Sequence, residues 1–168
     1  ESERILLRRL SPRMAGRVRV LSFTRMAEQV FRETGGLAGR RMDDISRTLV
    51  MSRAAELTAD KLTLYGNAAG DPWTVGTLLH TVCELKQCGI TPSQLEKMSL
   101  SIPDNGTLRR KLSELSLLYG TYEALASNVQ GADEPDGAVR YIDPLDDLTA
   151  LAERLPQSGM AKDAYVFV

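Results

Sequence analysis

The chain has 168 residues, 43% hydrophobic and 26% charged, with a formal net charge of −1. That composition suits one soluble globular domain with a real core, and it argues against a membrane-spanning run and a disulfide-built scaffold; the charged first residues predict no signal peptide. The charge is unevenly spread: residues 1–41 carry ten arginines against four acids, +6, whereas residues 42–168 carry eleven basic residues against eighteen acids, −7.

In chain order, "ERILLRRL" at 3–10 predicts a short amphipathic helix with Ile5, Leu6, Leu7 and Leu10 inside and Arg8 and Arg9 outside. Val18 to Leu21 reads as a strand. It breaks at Ser22-Phe23-Thr24, and Phe23, Met26, Ala27, Val30 and Phe31 then recur at helical spacing until Gly35-Gly36. A second helix is predicted from Asp43 or Asp44, with Ile45, Leu49 and Leu57 on one side, and a shorter helical piece through Leu62 and Leu64 to Ala69.

Three later helices carry start signals. Asp71-Pro72 sets an N-cap before a first-turn proline, followed by Val75, Leu78, Leu79, Val82 and Leu85. Thr91-Pro92-Ser93-Gln94 is a capping box. Asp143-Pro144 opens a helix with Leu145, Leu148, Ala152 and Leu155 inside. Between the last two, Leu108, Leu112, Leu115, Tyr119, Tyr122, Ala126 and Val129 alternate steps of four and three, a packing seam in which Gly120 suits a close helix crossing. "AYVFV" at the end reads as a second strand. Two strands about 140 residues apart, neither with a local hairpin partner, predict a helical insertion into an α/β domain.

Catalytic chemistry finds little support. The single histidine, His80, adjoins Leu79 and Val82 and reads as a partly buried structural residue; Trp73 reads as a core or staple residue, with base stacking as the sharper alternative. Glu84 and Lys86 in "CELKQ" read as the wet side of a helix. Cys83 and Cys88 face different ways on one helix, as free thiols of a reducing cytoplasm. "DEPDG" at 133–137 lacks the alternating oxygen ligands of a calcium loop, and no GxGxxG or Walker-type loop is present. The Arg-rich front fits phosphate, since Arg presents a planar fork, and equally fits a solvated helix face.

The segments "VLSFTRMAEQVFRETGG", "TLLHTVCELKQCGITPSQLE", "LRRKLSELSLLYGTYEALA", "YIDPLDDLTALAERLP" and "AYVFV" follow one another as in the AddB (RexB-like) subunit of the bacterial AddAB helicase–nuclease, which this chain resembles over nearly its whole length. The resemblance implies a mostly α chain: a helical bundle, the 1B-like subdomain, inserted into a partial α/β helicase-like core with two short strands near the termini. It implies a division into 1–36, a partial 1A segment; 37–160, the helical subdomain; and 161–168, the returning strand.

It further implies a non-catalytic piece of a cytoplasmic double-strand-break repair and recombination machine, hydrolysing neither ATP nor DNA by itself. The charged opening Glu1-Ser2-Glu3-Arg4, without an initiator Met, agrees with a piece of a longer protein. ATP with Mg and an iron–sulfur cluster would belong to other parts of such a protein, and no cofactor to this one. The partners implied are an AddA-like helicase–nuclease subunit and single-stranded DNA. The corner resembles the helicase segment lying near single-stranded DNA, which makes Ser22, Phe23, Thr24 and Arg25, with Arg17 and Arg19 flanking the strand, the candidate DNA contacts. Such helicases often carry a histidine after the phenylalanine; Thr24 stands there here. A helical module that contacts the partner subunit without binding DNA is the alternative.

Overall fold

A computed structural model describes residues 5, 18–35, 40–103, 106–128, 141–162 and 164. These residues are mostly helical, and they divide into two compact units: residues 1–37 with 150–168, and residues 38–149. The chain thus leaves the first unit once and returns to it once.

In the first unit, α1 (Phe23–Thr34) starts on Ser22, whose hydroxyl oxygen accepts from the Arg25 amide at 3.3 Å. That bond satisfies one of the amides a helix start leaves unpaired. The helix stops at Gly35, where φ of +80° suits glycine and the Arg154 guanidinium donates to the Gly35 carbonyl. Ala27, Val30 and Phe31 form its buried face, packed with Leu151 in a small core. Arg154 also lies over the Phe31 ring, 5.7 Å from its centroid.

The expected strand at Val18–Leu21 shows no strand pairing among the described residues. Its side chains do alternate, Val18 and Val20 half-buried and Arg19 and Leu21 exposed, as an extended segment requires. The expected partner at 165–168 lies outside the described residues, as does most of the segment 3–10, of which Ile5 is helical but exposed rather than inside. The strand pairing described is elsewhere: a two-residue parallel ladder between β1 (Arg40–Arg41) and β2 (Tyr141–Ile142).

Among the described residues the second unit holds α2 (Asp44–Thr58), α3 (Pro72–Gln87), α4 (Pro92–Leu100) and α5 (Thr107–Asn128). Each of the first three starts at a side-chain cap legible in the sequence: Asp43, Asp71 before Pro72, and the reciprocal Thr91–Gln94 box. The α3 end has a φ of +69° at Gly89; the Gly89 amide bonds to the Lys86 carbonyl and the Ile90 amide to the Leu85 carbonyl, a Schellman stop. The core is one cluster that includes Met51, Ala54 and Ala55 of α2, Val75, Leu78 and Val82 of α3, Leu95 of α4, and Leu115, Leu118, Tyr119, Tyr122 and Ala126 of α5. The α5 seam is therefore as expected, except that Leu108 at its start is exposed; Val129 lies outside the described residues. Pro92 faces Gly120, and a Cβ there would sit 3.7 Å from Pro92 Cβ, an ordinary contact.

Three expectations are corrected here. The face of α2 that carries Ile45, Leu49 and Leu57 points to solvent, with Ile45 72% and Leu49 65% exposed, because the smaller Ala54, Ala55 and Thr58 beside Met51 let neighbouring helices approach closely. Residues 62–69 form no α-helix. Short 3-10 turns at Ala59–Lys61 and Ala68–Gly70 bracket a loop that wraps a carboxylate instead. The helix after Asp143 begins as a 3-10 turn, Pro144–Asp146, before α6 (Asp147–Arg154). The tighter turn shifts the phase of the helix, so Leu151 is buried while Leu148 and Ala152 face solvent.

The carboxylate in question is Glu114 of α5, which is buried. It accepts from the amide and hydroxyl of Thr63 at 2.9 and 2.6 Å, from the Leu64 amide at 2.9 Å and from the Tyr65 amide at 3.1 Å. Burial opposes its charge, but these donors outweigh burial and hold the carboxyl below its ordinary value. The ionised form is thus favoured by folding. Its stabilisation is complete above the unfolded carboxyl pKa of about 4.3 and is lost as pH falls through the lower, folded value. Glu114→Gln turns an amide donor toward a loop that offers only donors, so the expected cost is about 1–3 kcal/mol, read as a lower urea midpoint at neutral pH. The loss of stability on acidification should also be shallower in the variant. An unchanged midpoint contradicts the wrapped-carboxylate role.

Candidate nucleic-acid interface and a buried charge centre

The sequence nominates the start of α1. Phe23, at the first helical position, is 57% exposed, and Thr24 and Arg25 beside it are exposed as well. Arg19 is exposed on the extended segment ahead of the helix; Arg17 lies outside the described residues. Ser22 is exposed but its hydroxyl oxygen is engaged as the cap, leaving its proton to donate. The structure therefore brings Phe23, Thr24 and Arg25 together at one helix end, with an aromatic face and a guanidinium open to solvent. An aromatic ring can stack on a base, and a guanidinium beside a helix N-terminus can hold a phosphate. Farther along the same helix, Leu21, Arg25, Glu28, Gln29, Arg32 and Glu33 line an open depression of mixed charge.

The second unit holds a charge centre not expected from sequence. Lys86 is not on the wet side of α3: its side chain is 4% exposed. Its ammonium lies 2.7 Å from Glu123 Oε1, 3.1 Å from Asp143 Oδ2 and 2.7 Å from Asp146 Oδ1. Tyr122 donates its hydroxyl to Asp143 Oδ2 at 3.0 Å and sets its ring 5.8 Å from the ammonium. Burial works against the charge on Lys86, yet the carboxylates prevail and hold its pKa well above the ordinary lysine range. Asp146 is exposed, yet partial desolvation of its carboxyl pushes it up against the pull of Lys86, and burial pushes the Tyr119 phenol up to about 12.

Nearby, Arg47 pairs with Asp44 and points Nη1 at Cys83 Sγ, 3.8 Å away. This centre is chemically quiet. Its groups saturate one another, and a lysine held protonated offers neither a base nor a nucleophile.

Two further expectations fail. Trp73 is 79% exposed at the start of α3, so it is neither core nor staple. His80 is exposed too, with Nε2 3.5 Å from Glu84. Both lie on the solvent side of a helix whose buried face is set by Val75, Leu78, Val82 and Lys86. No helix among the described residues is long and apolar enough to cross a membrane.

The family model described as "ADDB, N-terminal" matches residues 1–168. Three relatives, each named as the B subunit of an ATP-dependent helicase/deoxyribonuclease, are similar throughout. The protein of Desulforudis audaxviator is 36% identical over 164 residues, 95% of this chain and 13% of its own. That of Moorella thermoacetica is 33% identical over 156 residues, 90% and 13%. That of Thermoanaerobacter sp. strain X514 is 32% identical over 168 residues, 100% and 14%. The chain thus spans only 13–14% of the length of these relatives.

The two thiols give a direct check on this geometry. Cys83 is half-buried, and burial raises its pKa despite Arg47, whereas Cys88 is exposed. Thiolate is the reactive form, so iodoacetamide at neutral pH should alkylate Cys88 at least about tenfold faster than Cys83, as followed by peptide mass spectrometry. Equal rates contradict the placement of Cys83.

Proposed function

The chain belongs to the ADDB N-terminal family, and on that premise we propose that it is the N-terminal segment of an AddB-like subunit acting in double-strand-break repair and recombination, where the start of α1 helps bind and guide single-stranded DNA. The single observation that carries the DNA reading is the exposure of both Phe23 and Arg25 within the first turn of one capped helix. Thr24 and Arg19 extend the polar, basic surface, and Arg17 joins them on this reading.

In the same reading the helical unit is a 1B-like subdomain within a helicase-like core, with Val18–Leu21 and Tyr165–Val168 as neighbouring strands. The division of 38–149 from 1–37 with 150–168 supports an inserted unit. The sequence-based division at 1–36, 37–160 and 161–168 is carried with that reading. ATP hydrolysis, nuclease chemistry and an iron–sulfur cluster are assigned to other parts of the cytoplasmic complex, with an AddA-like subunit as partner.

A specific observation favours a second role alongside. Ile45 and Leu49 on α2, and Trp73 on α3, are large apolar groups facing solvent. Aromatic and aliphatic anchors of this kind suit a protein interface, and the partner subunit is the candidate occupant.

Fluorescence anisotropy with a labelled single-stranded oligonucleotide, titrated at several salt concentrations, separates the two. DNA guidance requires binding that weakens with salt, with a slope of about −0.7 per phosphate contact. Arg25→Ala should lower affinity and make that slope shallower by about one contact; Phe23→Ala should cost about 1–3 kcal/mol. Absence of binding at low salt, or variants that bind as the parent does, removes the DNA reading and leaves the interface role.

A further inference from the structure

The last segment of the helical unit, residues 141–147, is fastened in an unusual way. It pairs with the first residues of the unit: Arg40 with Tyr141 and Arg41 with Ile142 in the parallel ladder, and the Met42 amide donates to the Ile142 carbonyl at 3.0 Å. The Arg41 guanidinium reaches Asp147 at 2.6 Å. The segment is fixed internally by Asp143, whose Oδ1 accepts from the Leu145 amide at 3.1 Å and whose carbonyl accepts from the Asp146 amide at 3.0 Å. It is fixed to the helices by Lys86, which bonds Asp143 and Asp146, and by the hydroxyl of Tyr122. Glu123 completes the shell around the ammonium from α5.

From Ile142 to Asp147 no apolar side chain is fully buried. The fully buried side chain there is that of Asp143; Ile142, Pro144 and Leu145 are half-buried, and Asp146 is exposed. The helices behind it are held by fully buried Met51, Leu118, Val82 and Tyr122. Apolar burial gives the helices their cohesion, whereas the segment is held chiefly by ions and hydrogen bonds. Two parts of one domain that rest on different forces can open at different free energies.

We propose that residues 141–147 are a releasable strap: the Lys86 centre closes it over α3 and α5, and in the closed state it keeps the two ends of the helical unit side by side, so that the chain enters and leaves this unit at one place. Release of the strap separates the entry at 40–42 from the exit at 141–147 without unfolding the four helices. The device is independent of the DNA reading, since none of its residues belongs to α1.

Native-state amide exchange on the whole chain, followed by NMR, tests it. The reporters are the Met42, Leu145 and Asp146 amides for the strap, and the Ala54 and Leu118 amides for the helices. Asp146→Asn removes one charge from an exposed position and so preserves the fold. It should speed exchange at the strap reporters by about tenfold or more, with Ala54 and Leu118 unchanged. Lys86→Met should give the same pattern with a larger effect; if that variant does not fold, Asp146→Asn decides. Acceleration of all reporters together overturns the proposal, because the segment is then part of the common core. Unchanged strap reporters overturn it too, because the Lys86 centre is then not what holds the segment.

Discussion

A lysine ammonium placed out of water is the constraint on which the helical unit turns. Removing such an ion from water costs several kcal/mol even after relaxation, so Lys86 is tolerable inside only if carboxylates meet it there. Three do, from two separate stretches: Glu123 on α5, and Asp143 and Asp146 beyond it. The arrangement is weak as a source of net stability but demanding as a specification, since deleting Lys86 leaves the buried Asp143 uncompensated, and deleting the acids does the same to the buried ammonium. It dictates where the chain after α5 must return against α3 and α5.

Glu114 does comparable work farther along α5. There a single acid satisfies the amides of Thr63, Leu64 and Tyr65, which a loop without α-helix would otherwise leave unpaired. The two centres place one buried charge toward each end of α5, and the apolar seam of Leu115, Leu118, Tyr119 and Tyr122 lies between them. The seam supplies cohesion and the charges supply register. This division of labour explains how a chain with few aromatic residues specifies one packing of four helices rather than several.

Much of this is legible in the sequence, for a physical reason. Caps act within three or four residues, so Asp43, Asp71-Pro72 and Thr91–Gln94 mark their helices without help from the rest of the fold. The α5 seam has its own period and stays buried at Leu115, Tyr119, Tyr122 and Ala126. Most failures are matters of which face meets a neighbour. Lys86 looks wet in the sequence because its partners lie 37 to 60 positions away. Ile45, Leu49 and Trp73 look buried by hydropathy alone, and the small residues that in fact make the α2 contact carry little signal. The loop at 62–67 looks helical from its leucines, whereas Glu114 claims its amides. At the candidate interface, the cap Ser22 and the helix phase that exposes Phe23 follow from local rules; what the exposed pair binds does not.

Closure of residues 141–147 over α3 and α5 depends on Lys86 being charged, enclosed and bonded to three acids. Nitrogen-15 NMR of the lysine side chains at neutral pH observes that state directly. The expected result is a single protected ammonium signal assigned to Lys86, exchanging slowly with water while the other lysines exchange fast, and keeping its charge beyond the pH at which ordinary lysines titrate. A Lys86 ammonium that exchanges as fast as the rest and titrates with them would contradict the enclosed charge centre and the closure of residues 141–147 that rests on it.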